Sequence, residues 1–557
     1  MIGRRIRYMG RYREIAVALA RHGFGFVVEE LGLRSMLSLP KRLVTGSEPP
    51  DPKTYGERIR LVLEDLGPTF IKLGQIASTR SDLFSEDILH ELENLQDRIS
   101  PFPFSEVRQT IERELGPLEE IFSHFDETPL AAASIGQVHR AVLSSGEAVA
   151  VKVRRPFIET IVEADLEILR DLAAIADHRF KWAARLQLRR VVEELAEALR
   201  TELDFTNEGH NAERIATQFT DDPSIRIPKI YWEYTRQNVL TMEFISGVKM
   251  TRGDELEETE HDRRALAERY VKAMLHQILI EGFFHADPHP GNLFILPGGS
   301  LAFIDFGLVG RLGPETKSHF ISLILAMLRQ NTEGVIRTLL RMGIVPEDTD
   351  MEQLWLDTDR LRDKYTGVPL SRIRLGDAIR DLFRVASRHQ IRIPANLTLA
   401  GKAILVMEGV AARLHPDLNL MEIALPFGNR LIRERFSPRR LADRVWKSVA
   451  DYGEMLTELP HDLQGLIRDL RRGRFRVQME VSRLELFLNR LERISNRLTF
   501  SILLLAFSII MTGLIIGLSL SNHPDLLLNS PAIQMGSAIA LLMILWLIFS
   551  IFRSGRF

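Results

Sequence analysis

The chain has no cysteine. A disulfide framework, a thiolate zinc site and a cysteine nucleophile are therefore excluded. Any metal must be held by oxygen or imidazole, which suits magnesium or calcium better than a softer ion. Net charge is nearly absent as well, at −2 over 557 residues, which rules out a globally basic nucleic-acid binder. Lysine is scarce: of 72 basic residues only 12 are Lys, the rest Arg. Each lysine deserves a separate reading, because a compact ammonium and a planar guanidinium do different chemistry. What the chain does have is length for several domains, with 45% hydrophobic and 26% charged residues, a composition that argues against wholesale disorder.

The apolar residues are segregated toward the C-terminus. Segments 499–521 and 532–552 carry no charge. At about 1.5 Å per residue each is long enough for the roughly 30 Å hydrocarbon core of a bilayer. A pair of buried core helices is the alternative. The link between them holds Pro524, Asp525 and Pro531 and no basic residue, whereas Arg490, Arg493, Arg497, Arg553 and Arg556 flank the pair. This asymmetry predicts a hairpin with both ends, and everything before it, on the cytoplasmic side. At the other terminus, Arg4, Arg5, Arg7, Arg11 and Arg13 lead into an amphipathic stretch at 15–33. It reads equally well as a membrane-surface helix and as an ordinary helix packed on its own domain. There is no basic cap followed by an apolar run, so no signal peptide is expected. A second basic block, Arg468, Arg471, Arg472, Arg474 and Arg476, precedes a juxtamembrane helical pattern at 477–498.

Between these ends, 55–100 reads as helices broken at Gly67-Pro68. Strands are expected at 130–134, 138–143 and 148–153, with a turn at 144–147, and again at 230–233 and 238–244. Helices are expected from 157 to 219 and through most of the chain from 246 to 460, broken by a strand-loop-strand unit at 293–306.

The densest chemistry is His285-Ala286-Asp287-Pro288-His289-Pro290-Gly291-Asn292, followed by Asp305-Phe306-Gly307. An Asp in a proline-stiffened loop, an Asn shortly after it and an Asp after a short hairpin make a phosphoryl-transfer constellation. Asp305 and Asn292 offer hard oxygens to magnesium near a nucleotide's phosphates, and Asp287 can orient or deprotonate a nucleophile. Upstream, Lys152 is the one charged residue of the apolar run 148–153. It could bridge phosphates and a helix carboxylate, or simply reach solvent from a strand end.

In this order, the Lys strand, the Asp-to-Asn loop and Asp-Phe-Gly resemble a protein-kinase-like fold, and more narrowly the UbiB family of atypical kinase-like proteins. Further motifs carry the resemblance: Lys72-Leu73-Gly74-Gln75, the Ala-rich loop Ala131-Ala132-Ala133-Ser134, and Glu202-Leu203-Asp204 followed by Glu208. The implied fold is α+β, a bilobal atypical-kinase fold with an N-terminal helical extension and a C-terminal two-helix transmembrane hairpin. The expected parts are a basic segment 1–50, the extension 51–127, an N-lobe with helical insertion 128–245, a C-lobe 246–435, a juxtamembrane region 436–497 and the hairpin 498–557.

By resemblance, Lys152 pairs with Glu208 and contacts phosphates, and Asp305 and Asn292 hold magnesium. Asp287 is the catalytic-loop Asp, and Lys72 meets Glu202 or the phosphates. ATP would be held by Ala131, Ala132, Ala133, Ser134, Lys152 and Glu243. The activity implied is a magnesium-dependent ATPase or a small-molecule or lipid kinase in isoprenoid-quinone biosynthesis, at a bacterial-type inner membrane. Membrane lipids or quinone precursors, and quinone-biosynthesis proteins, are its expected partners, nucleic acid is not, and an Arg-rich juxtamembrane helix could pair into a homo-oligomer. A Ser/Thr protein kinase and a nucleotide-gated lipid-binding scaffold remain as alternatives. The alanines restrict a loop that is glycine-rich in protein kinases, and Ala286 stands where those enzymes commonly carry Arg.

Overall fold

The computed structural model describes residues 8–435, apart from short stretches of which 41–52 and 252–261 are the longest, and only scattered positions between 502 and 538 beyond them. The chain divides into two units, Met1–Ala442 and Asp443–Phe557.

The first unit opens with helices α1 (Met9–Arg21), α2 (Gly25–Glu30) and α3 (Leu33–Met36). Tyr12, Ile15, Phe24, Val28 and Leu33 are buried against Val62, Leu66, Phe70 and Ile168. Of the two readings of the 15–33 stretch, the structure realises the packed helix, because its apolar face is covered by its own domain. Arg11 anchors it with a bidentate pair to the buried Asp165 at 2.7 and 3.0 Å. Tyr12 adds a hydrogen bond to Asp171 at 2.9 Å.

Helices α4 (Tyr55–Leu66) and α5 (Pro68–Ala77) meet at Gly67, whose φ of +90° suits glycine, with Pro68 at the first helical position. Thr54 and Glu57 form a reciprocal capping box at the start of α4. Helix α6 (Glu86–Glu93) packs beside both. Gly74 on α5 has a steric purpose: a Cβ there would come within 2.3 Å of Leu95 Cδ1 and 2.8 Å of Leu63 Cδ1.

After α7 (Phe104–Leu115) and α8 (Leu118–Ile121) comes a five-stranded antiparallel sheet: β1 (Phe122–Phe125), β2 (Ala131–Ala132), β3 (Gly136–Leu143), β4 (Ala148–Arg154) and β6 (Val239–Glu243). The order is β1-β3-β4-β6, with β2 also on β3. Strand β4 alternates by the rule of two: Val149, Val151 and Val153 are buried against α7, leaving Lys152 on the opposite face. The strand expected at 130–134 is the two-residue β2, and the one expected at 230–233 is a single bridge from Ile230 to Met242 followed by a 3-10 turn at Trp232–Tyr234. Between β4 and β6 lie α9 (Ile158–Arg179), α10 (Leu188–Leu203), α11 (Phe205–Ala216) and the short β5 (Ile225–Arg226).

The remaining elements are β7 (Val248–Lys249), α12 (Arg263–Leu275) with a π turn at His276–Glu281, β8 (Phe283–His285), β9 (Leu293–Ile295), β10 (Leu301–Phe303) and β11 (Val309–Arg311). Strands β9 and β10 form the expected hairpin, pairing Leu293 with Phe303. Helices α13 (Pro314–Leu328), α14 (Thr332–Arg341), α15 (Met351–Tyr365), α16 (Leu375–Arg388), α17 (Ala395–Leu414) and α18 (Leu420–Arg435) complete the unit.

In the second unit the scattered positions are helical, and Ile502, Leu505, Ile509 and Ile510 among them are exposed. The transmembrane hairpin expected at 499–521 and 532–552, like the juxtamembrane region 436–497, lies almost wholly outside the described residues. Among the described residues no helix is long and apolar enough to cross a membrane.

Candidate active site

Lys152, placed on the inner face of β4, extends its ammonium to Glu208 of α11, Nζ to Oε2, at 2.7 Å. Both side chains are nearly covered, at 14% and 6% exposure. The ammonium also lies 4.0 Å from Asp305 Oδ1 and 5.2 Å from the ring centre of Phe205. Burial opposes its charge, but the carboxylates of Asp305 and Glu208 outweigh that cost and hold Lys152 above the usual lysine range. Burial in turn pushes the Glu208 carboxyl up, and the Lys152 ammonium offsets part of this.

The Glu202-Leu203-Asp204 motif divides three tasks at the junction of α10 and α11. Asp204 caps α11 by accepting from the Thr206 N–H at 3.0 Å. The Leu203 carbonyl accepts from Arg154 Nη1 at 2.8 Å, fixing the junction to the end of β4. Glu202, on the last turn of α10, forms an ion pair with Lys72 of α5. A Cβ at Gly307 would stand 3.7 Å from Glu202 Oε1 and 3.3 Å from Asp305 Oδ1, so this pair borders the Asp-Phe-Gly segment. Lys72, Lys152, Glu202, Glu208 and Asp305 therefore form one charged cluster. Lys152 first, and Lys72 with it, hold the Asp305 carboxyl well below the usual carboxylate range.

Asp305 has a left-handed φ of +62°. For a residue with a Cβ this conformation costs free energy, and the Gly307 N–H donating to Oδ1 at 3.3 Å helps hold it. The preceding Ile304 N–H donates to the Asn292 carbonyl at 2.9 Å, so the β9–β10 hairpin brings Asn292 and Asp305 to one end. Asn292 directs its side-chain N–H₂ to the Asp287 carbonyl at 3.3 Å, which leaves its amide oxygen as an acceptor. The Asp287 carboxylate is 38% exposed and 3.8 Å from His289 Nε2.

Sequence reasoning missed the supports of this loop. His285 is fully buried, and burial lowers its pKa, so the ring is neutral. Nδ1 accepts from the Asp287 N–H at 3.2 Å, which assigns the proton to Nε2, facing the Ile304 carbonyl at 3.2 Å. One ring thus joins the Asp287 loop to the Asp305 segment. Gln277 accepts from the His285 N–H at 2.9 Å, and the Tyr270 hydroxyl donates to the Pro288 carbonyl at 2.8 Å. These bonds end on main-chain atoms, which leave no residue-type signature in a sequence.

The Ala-rich loop begins in β2, where Ala131 and Ala132 pair with Val138 and Gln137, and the Ala133 N–H donates to the Gly136 carbonyl at 2.8 Å. Ser134 is fully buried, and its hydroxyl has no hydrogen-bond partner among the described residues. An orphaned hydroxyl beside the Lys152 strand fits a ligand that brings acceptor oxygens. Glu243 lies at the end of β6, opposite Val149 of β4, and its side chain is engaged by Arg226 at 2.7 Å and the Lys229 N–H at 3.2 Å. The structure brings Lys72, Lys152, Glu202, Glu208 and Asp305 together and leaves the Glu243 carboxylate outside that cluster.

No group of three or more His, Asp or Glu able to hold a metal occurs among the described residues. Two oxygen donors, Asp305 and Asn292, suit an ion that keeps water and completes its shell with phosphate, as magnesium does.

The chain matches the ABC1 atypical kinase-like domain over residues 94–339, the UbiB helical domain over 358–419 and the ABC1/UbiB kinase-like C-terminal domain over 482–553. A probable protein kinase UbiB of Marinobacter nauticus is 36% identical over 428 residues, covering 76% of this chain and 78% of that one. The chain belongs to the ABC1/UbiB family of atypical kinase-like proteins. The corresponding protein of Pseudomonas fluorescens SBW25 is 38% identical over 74% of this chain and 77% of its own length. An uncharacterized Synechocystis protein is 36% identical over 76% and 73%. The UbiB helical match spans most of α15 and all of α16 and α17.

Proposed function

We propose that this UbiB-family chain is a membrane-anchored, magnesium-dependent ATPase or small-molecule kinase that supports isoprenoid-quinone, specifically ubiquinone, biosynthesis. The observation that carries the phosphoryl-transfer reading is the complete set around Lys152: its 2.7 Å pair with Glu208 and the ionised Asp305 beside it. A chain that had lost this chemistry would have little reason to hold two carboxylates against a covered ammonium.

Lys152 would meet the phosphate oxygens of ATP as a fixed cation. Asp305 and Asn292 would hold magnesium, which when bound neutralises charge on those oxygens. Asp287, whose carboxylate is 38% exposed, would orient or accept the proton of the attacking water or phenol-type hydroxyl. The Lys72–Glu202 pair beside the Asp-Phe-Gly segment favours a small acceptor over a peptide. The membrane anchor rests on the uncharged segments at 499–521 and 532–552 and on the exposed apolar helical positions there. The quinone pathway rests on family membership.

The test is ATP hydrolysis by the full chain in lipid, with and without quinone-precursor phenols, beside a generic protein substrate. Phosphate release that rises with the phenol and is lost in Asp305→Asn is the expected result. Labelling of protein in preference to small molecules would replace the reading with a protein kinase, and tight ATP binding without turnover would replace it with a nucleotide-gated scaffold.

A further inference from the structure

A cavity of about 910 Å³ lies away from the Lys152 cluster, between the end of α5 and α6 on one side and α16 and α17 on the other. Its volume is within the range of small-molecule sites. Phe84, Leu89, Phe383, Leu405 and Val406 form its apolar wall. Gly401 makes room for that wall, since a Cβ there would be 2.5 Å from Phe383 Cζ.

The polar part is uneven. Arg380 is paired with Asp377 at 2.8 Å, Arg384 with Asp381 at 3.1 Å and Arg388 with Asp357 at 3.1 Å. The Glu408 carboxylate accepts from the Gly376 N–H at 2.6 Å and lies 3.8 Å from Arg374. Asp87 and Glu93 stand at the exposed rim on α6. Lys402 differs from the arginines. It is half-buried on α17, its ammonium donates to Ser78 Oγ at 3.0 Å, and no carboxylate pairs with it among the described residues. Ser78 caps α5, the helix that carries Lys72. In a chain where only 12 of 72 basic residues are lysine, an ammonium held in a cavity wall by one neutral hydroxyl is short of an anion.

We propose that this cavity binds a phosphate-bearing amphiphile, with the phosphate on Lys402 and the apolar body against Phe84, Phe383 and Leu405. The site is separate from the nucleotide site, and its occupancy can be read without ATP or turnover.

The test uses the full chain in nanodiscs of neutral phosphatidylcholine, titrated calorimetrically with octyl phosphate below its micellar concentration and without nucleotide. One saturable site is expected, weakened at least tenfold in Lys402→Met and less than threefold in Lys402→Arg. A diazirine-bearing octyl phosphate should label α6, α16 and α17, a readout that does not depend on any variant folding. Equal affinity in Lys402→Met, equal binding of octyl glucoside, inorganic phosphate binding as tightly as octyl phosphate, or labelling elsewhere would each overturn the proposal.

Discussion

The side-chain amide of Asn211 donates a hydrogen bond to the main-chain carbonyl of Phe306 at 3.1 Å. Asn211 shares α11 with Glu208, and Phe306 follows Asp305, so the carboxylates on either side of Lys152 are tied to each other independently of Lys152. Asn211→Ala should loosen this link, at a cost of about 1 kcal/mol. A several-fold loss of affinity for a fluorescent ATP analogue, with little change in the thermal midpoint, is the expected result.

Removing the cation should cost more. Lys152→Met leaves Glu208 and Asp305 facing each other without a positive charge between them, and kcat/KM for ATP hydrolysis should fall at least about 100-fold. The Asp305 carboxyl, now held down mainly by Lys152, should titrate at higher pH in the variant, which carboxyl-carbon NMR can follow. The sign for stability follows from the lowered pKa. Asp305 stabilises the fold above its ordinary value of 3.8, and that contribution is lost as the pH falls below 3.8 toward the folded value. The thermal midpoint of Asp305→Asn should therefore depend less steeply on pH in that acid window than the midpoint of the unaltered chain.

Lys72 and Glu202 should behave as one unit. Their side chains are 18% and 13% exposed, so solvent screens the pair only partly. A double-mutant cycle on stability with Lys72→Met and Glu202→Gln should give a coupling of about 1–3 kcal/mol. Strictly additive single variants would show that the pair does no more than fill space.

His285 should be neutral at pH 7, with its proton on Nε2, as nitrogen NMR of the ring can establish. Because burial lowers its pKa, the unfolded chain takes up a proton on this residue before the folded one does. Stability from this ring is therefore present above 6.5 and declines as the pH falls below it. His285→Phe leaves the Asp287 N–H and the Ile304 carbonyl without their partner, and urea unfolding should register a loss of about 3 kcal/mol.

Gly74 gives a purely steric prediction. A methyl group there meets Leu95 and Leu63, whose ends must shift, so Gly74→Ala should cost about 1–3 kcal/mol in urea unfolding. If the leucines yield freely, the variant will match the parent, and the close approach of α5 to its neighbours is not what this glycine serves.

The parts of the site that were legible in the sequence are those whose side chains meet each other or stand in spaced motifs. Lys152, Glu208, Asp305 and Asn292 stand in motifs of fixed order, and β3, β4, β6 and the β9–β10 hairpin have strong period-two or turn signals. What escaped depends on contacts between distant segments. Strand β1 holds two polar residues in four, and β8 and β11 are three residues each, so none has a period to read. Conversely, 230–233 has strand composition, but its neighbours allow only one bridge before the chain turns. The 15–33 stretch is amphipathic on either reading, and only the presence of α4 and α9 beside it decides which surface its apolar face covers.

That packing sets an order of events during synthesis. Arg11 and Asp165 are 154 residues apart, and Tyr12 and Asp171 are 159 apart. At roughly 5–20 residues per second, the first helix waits on the order of ten to thirty seconds before the segment that covers it has been made. For that interval the nascent chain presents a basic, amphipathic segment that α4 and α5 alone can cover, and only in part.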